Sequence, residues 1–115
     1  RNVDSWREGT AIVKQVYSLS EKLPSEEKVG LKSQITRAAV SIPSNIAEGA
    51  SRNSEIEFKR FLEISMGSLF EVETQLVIVE GLGFVSSEEL KLIFKMLEKE
   101  AKMINSLINK IKANS

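Results

Sequence analysis

The sequence predicts an all-α protein, an antiparallel up-and-down four-helix bundle, on three observations. Apolar residues recur at helical spacing through four long segments. The breaks between segments fall on proline, glycine and serine, and three segments open on Ser-x-x-Glu: Ser5/Glu8, Ser54/Glu57 and Ser86/Glu89. Connections of a few residues between long helices favour antiparallel neighbours. The 115 residues are read as a single domain, with helices over about 5–23, 26–49, 55–80 and 87–112, a size at which one core suffices.

In the first segment, Ser5 and Glu8 read as a capping box, each side chain satisfying a backbone donor of the first turn. Trp6, Val13, Val16, Leu19, Ser20 and Leu23 then follow one broad face up to Pro24. Ser25 is expected to cap the second helix, with Glu26 and Glu27 in the first turn, where the helix dipole favours negative charge.

Along that second helix Leu31, Ile35, Ala38, Ile42 and Ile46 recur at steps of four and three, so one side is core. Ala39, Ala47 and Ala50 keep its flanks thin, and Gly49 suits a helix end. Pro43 interrupts the pattern. Inside a helix, proline removes a donor and its ring presses on the carbonyl four residues earlier, that of Ala39, at roughly 3 kcal/mol. Two readings compete. The helix bends at Pro43 while Ser41, Ser44 or Asn45 bonds the freed backbone, or one helix ends near Ser41 and another begins with Pro43 in its first turn. The bend is the expected reading, because the apolar spacing keeps its phase through the proline. Glu48, near a helix C-terminus, calls for a cation, and Arg52 and Arg37 are the candidates.

The third helix is capped by Ser54 with Glu57 and shows a face of Phe58, Phe61, Leu62, Leu69, Val72, Leu76 and Val79 before the breaker Gly81–Phe84. The fourth is capped by Ser86 with Glu89 and carries Leu90, Ile93, Phe94, Leu97, Ala101, Ile104, Ile108 and Ile111. Each has a second apolar strip: Met66, Phe70 and Val77 on the third, Leu92, Met96, Met103 and Leu107 on the fourth. A lone bundle has little use for that extra surface, and exposed apolar patches mark interfaces. These seven residues are therefore the expected surface for self-association.

Composition excludes much chemistry. With no histidine and no cysteine, the usual general base, the commonest metal ligands, thiol nucleophiles and disulfides are all missing. No catalytic residue, metal site, cofactor or small-molecule substrate is expected, and the protein is read as a non-enzyme. Glu55, Glu57, Glu63, Glu71, Glu73 and Glu80 read as a solvated face of the third helix, and Gly81–Gly83 is no phosphate loop. No apolar run approaches the roughly 20 residues that span a bilayer, no secretory pattern is present, and a cytoplasmic location is expected. Sixteen basic and sixteen acidic residues cancel, so no global field draws the chain to a polyanion. Local groups remain: Lys91, Lys95, Lys99 and Lys102 along one edge of the fourth helix, and Arg52, Lys59 and Arg60 around the turn before the third. They are the candidate nucleic-acid contacts. Glu55, Glu57, Glu88 and Glu98 dilute both groups, and no aromatic residue interleaves with the lysines to stack bases.

The runs SQITRAAVSIPSNIAEG (Ser33 to Gly49) and SRNSEIEFKRFLEISMGSLFEVETQL (Ser51 to Leu76), with Trp6, VYSLSEKLP and GLKSQI upstream, resemble the small bacterial four helix bundle protein family. It is also called the 23S ribosomal RNA intervening-sequence protein family. The resemblance covers roughly Trp6 to Phe84, and the last helix agrees only in pattern. It implies an up-and-down bundle, commonly a ring-like homopentamer, with no established enzymatic activity. A related branch comprises accessory proteins of diversity-generating retroelements, whose basic barrels bind nucleic acid and a reverse transcriptase; the balanced charge here departs from that pattern. The expected function is thus a self-assembling scaffold or adaptor, with an RNA- or DNA-binding accessory protein as the alternative.

Overall fold

A computed structural model describes residues 3–27 and 30–114. Four α-helices account for most of them: α1 (Val3–Ser20), α2 (Leu31–Ala50), α3 (Glu55–Gly81) and α4 (Ser87–Ala113), with a single 3₁₀ turn at Ser25–Glu27. Packing is cyclic in chain order, since α1 lies against α2 and α4 while α3 lies against α2 and α4. The result is the up-and-down bundle, 46 × 25 × 18 Å.

Its core follows the apolar stripes. Ile35, Ala38, Ile42 and Ile46 of α2 are buried with Leu62, Leu69, Val72 and Leu76 of α3 and with Leu90, Ile93, Leu97 and Ile104 of α4. Each large side chain so buried is worth roughly 1.5–3 kcal/mol of transfer free energy. From α1 come Ile12, Val16 and Leu19. Trp6 does not join them; it is exposed, and the buried face at its level is held by Ser5 and Gly9, which continue to Ile12, Val16 and Leu19 at steps of four and three.

The helix ends follow the capping chemistry with two corrections. Ser86 and Glu89 form the complete reciprocal box at α4, and the Ser54 side chain accepts from the Glu57 amide at α3. Ser5, by contrast, lies inside α1 and is buried, because the helix already begins at Val3 and leaves that serine no end to cap. Nor does Ser25 open α2. The Glu27 amide donates back to the Pro24 carbonyl at 2.9 Å, closing a tight turn, and α2 begins at Leu31, whose amide donates to the Glu27 side chain at 3.2 Å. The first helix correspondingly ends at Ser20, followed by the turns that carry Lys22 and Leu23. At the far end of α3, Gly83 takes φ +79°, which its missing Cβ allows, and Phe84 and Gly83 donate to the carbonyls of Val79 and Glu80. This pair of bonds satisfies the last carbonyls and turns the chain toward α4.

α2 is one helix through Pro43, so the reading with a second helix starting there is overturned. Side chains gather around the proline. Asn45 Nδ2 donates to the Ser41 carbonyl and to Ser41 Oγ, both at 2.8 Å, Ser41 Oγ meets Ser68 Oγ at 2.7 Å, and Ser65 Oγ donates to the Ile42 carbonyl at 2.9 Å. Two hydroxyls of α3 thus bond α2 at Ser41 and Ile42, in the turn next to the Ala39 carbonyl that Pro43 leaves without its helical donor.

Candidate functional site

Along α3 the residues turned toward α4 are Leu69, Phe70, Glu73 and Glu80. Facing them on α4 are Ser87, Lys91, Phe94, Glu98 and Ala101, which recur at steps of three and four and so share one edge of the helix. Between the two edges runs a groove of about 820 Å³, with Leu97 at its base and Lys95 and Lys102 on its rim. It is open because charged side chains occupy positions where apolar ones would have drawn the helices together. Its lining is a mixture of Leu, Phe and Ala with three lysines and three glutamates, of which Glu80 accepts from the Ser87 hydroxyl.

The seven expected interface residues fall in two places. Phe70 and Val77 are more than half exposed, and Phe70 lines the groove. Met66 is half-buried against the core. Leu92, Met96, Met103 and Leu107 take no part in the groove; they share the other edge of α4, and Leu107 lines a separate small hollow with Glu55 and Phe58 of α3. Of these, Leu92 is exposed, while Met96 and Leu107 are half-buried against the core. Met103 is half-buried as well.

The seven basic candidates divide by partner. Arg52 binds Glu48 at 2.7 Å and lies over the Phe61 ring at 5.1 Å, Lys59 pairs with Glu63 at 3.8 Å, Lys91 with Glu88 at 3.2 Å, and Lys99 with Glu8 of α1 at 3.7 Å. Arg60, Lys95 and Lys102 have no carboxylate partner among the described residues, and of the three only the two lysines lie in the groove. At the opposite end of the bundle, Lys22 and the Ser86 amide hold the carboxyl of Glu89 below its usual range.

One residue escaped the pattern reading. Glu100 of α4 is fully buried, and neither of its carboxyl oxygens has a hydrogen-bond partner among the described residues. A Cβ on Gly9 of α1 would stand 3.0 Å from Glu100 Oε2 and 3.1 Å from Pro43 Cβ, so three helices meet at this point. Burial, and secondarily the negative charge of Glu8, push the Glu100 carboxyl up to about 8 from 4.5. The signal lay in the spacing: Ile93, Leu97, Glu100 and Ile104 stand at steps of four, three and four, so the acid falls in the core stripe. A search by apolar residue type passes over it.

The described residues include no group of histidines, cysteines or acids able to hold a metal ion, and no helix long and apolar enough to cross a membrane. The family model described as 23S rRNA-intervening sequence protein matches residues 1–106. Among solved structures, the chain is similar to a protein of unknown function from the S23 ribosomal protein family of Bacteroides thetaiotaomicron. The two share 23% identity and a TM-score of 0.84, over 90% of this chain and 97% of that one; at this identity the likeness establishes the fold. No curated protein matches.

Proposed function

The chain belongs to the 23S rRNA-intervening sequence protein family, and on that footing we propose that it is a non-enzymatic helical scaffold whose copies associate through the α3–α4 face. The observation that carries this reading is the exposure of Phe70, which lines the groove, and of Val77 two turns further along α3, 54% and 55%. They stand seven residues apart on one edge of α3, where a neighbouring helix could cover both. Charge supports the same face, since Lys95 and Lys102 on α4 stand across from Glu73 on α3 and a second copy presents both signs again. The assembly is a closed symmetric ring, with five subunits as the favoured number. Sedimentation at micromolar concentration tests this: a discrete oligomer supports it, and a stable monomer overturns it.

A second reading rests on the same two lysines, with which no carboxylate among the described residues pairs. Repeated around an assembly, they form a basic surface suited to the phosphates of RNA or DNA. Titration against structured RNA at low and moderate salt decides between the two. Binding that weakens steeply with salt and is lost on Lys95→Glu with Lys102→Glu supports nucleic-acid contact; no binding at low salt removes it.

A further inference from the structure

We propose that Glu100, Gly9 and Pro43 form a proton-binding site in the core, occupied while the bundle is closed and emptied as α1 and α4 part. The site stands on geometry. Glu100 is completely buried, neither of its oxygens has a donor among the described residues, and a Cβ on Gly9 of α1 would press on Oε2 at 3.0 Å and on Pro43 of α2 at 3.1 Å, so α1 passes this carboxyl with no room between. A carboxylate in that position would be a buried, uncompensated charge, the costliest kind of polar burial. The neutral acid avoids that cost.

Among the described residues its surroundings pair no cation with it. From α1 comes Glu8, only 15% exposed in its side chain, whose negative charge opposes a second one nearby. From α2 comes Pro43, which is uncharged. On α4 itself, Lys99 is turned to Glu8, at 3.7 Å, and bears no ion pair to Glu100. Folding therefore takes up a proton at this site between the carboxyl's ordinary value of 4.5 and its raised value of about 8. The direction follows from linkage. Inside that window the unfolded chain holds fewer protons than the native one, so stability is greatest below the window and declines as pH rises through it. Above the window the contribution is flat. The site is independent of assembly and stands whether or not copies associate.

Denaturant unfolding of the wild type and Glu100→Gln at pH 5, 6, 7 and 8, each at a concentration giving both the same oligomeric state, tests the proposal. Glutamine keeps the shape and cannot ionise. The wild-type unfolding constant is expected to rise by about tenfold per pH unit relative to the variant across the window. An infrared measurement covers the case in which the variant does not fold: the carbonyl band of a protonated carboxylic acid in folded wild type at pH 7, fading as pH passes about 8. Equal pH slopes in the two proteins, or no protonated-acid band in the wild type at pH 6, would overturn the assignment.

Discussion

α3 has two long seams, and they are built on opposite plans. Toward α2 it presents Ser65, Ser68, Phe58 and Phe61, and α2 answers with Ser41, the Ile42 carbonyl and Gly49, so that hydroxyls bond across the seam and the Phe58 ring and the Phe61 Cβ close on a glycine. Toward α4 it presents Phe70, Glu73 and Glu80, and the seam stays open as a groove. Small residues and short polar groups let two helices close; long charged ones and exposed aromatics hold them apart and leave surface for another molecule. The closed seam serves the fold, and the open one is the face proposed for association.

The closed seam should break most sharply at Gly49. A Cβ there would lie 2.7 Å from Phe61 Cβ, 3.0 Å from Phe58 Cδ1 and 3.3 Å from the Phe58 carbonyl oxygen. Alanine gains about 0.5–1 kcal/mol of intrinsic helix preference over glycine, but overpacking costs roughly 1–3 kcal/mol. Because the nearest atom is the root of a side chain, it cannot swing away, and the clash wins. Gly49→Ala is expected to destabilise by about 1–2 kcal/mol in chemical denaturation; a more stable variant would show that this seam has room to spare. Next comes Ser65→Ala, which removes the hydroxyl bonded to the Ile42 carbonyl. That oxygen keeps its helical position, so the loss is one net hydrogen bond, about 1 kcal/mol, read as a lowered denaturation midpoint.

The difference between the seams also explains how far the sequence could be read. Helical spacing gave the four helices and the caps at Ser54 and Ser86, because those features are local and repeat. It named Arg52 as one of two partners for Glu48, which is the one observed. What it missed depends on contacts between helices. Gly9 looks like an ordinary helix-weakening glycine until Pro43 and Glu100 are set against it. Glu100 was hidden because a buried acid contradicts the apolar rule by which the stripe was drawn. Trp6 fits the face only by being large and apolar; the buried positions on either side of it belong to the small residues Ser5 and Gly9. The start of α2 failed for a local reason: Ser25 with two glutamates imitates a helix start, and the chain uses them for a 3₁₀ turn before Leu31.

A smaller effect is expected at the edge of the closed seam. Arg52 joins the end of α2 to α3 through Glu48 and the Phe61 ring, but all of this is partly exposed. An exposed i,i+4 pair contributes about 0.3–0.5 kcal/mol, and a cation over a ring at such a site about 0.5–1 kcal/mol. One guanidinium makes both contacts, so the two do not add in full, and Arg52→Ala should cost under about 1 kcal/mol in low salt and less in high salt. A salt-independent loss would point to packing of the arginine stem against Phe61 rather than to its charge.

The smallest effect on the fold belongs to the open seam, and there it is most informative. Phe70 is 54% exposed and meets no closed packing, so Phe70→Ser should leave the stability of a single chain within about 0.5 kcal/mol. If the α3–α4 face joins copies, the same change removes an aromatic anchor from the interface, and truncating such residues commonly costs about 2 kcal/mol or more of binding. Sedimentation should then show Phe70→Ser shifted toward smaller species at concentrations where the wild type is assembled, while circular dichroism of the two stays alike. A chain of unchanged assembly with Phe70→Ser, but dispersed by Leu92→Ser, would move the interface to the other edge of α4. The open groove would then be left for a different partner.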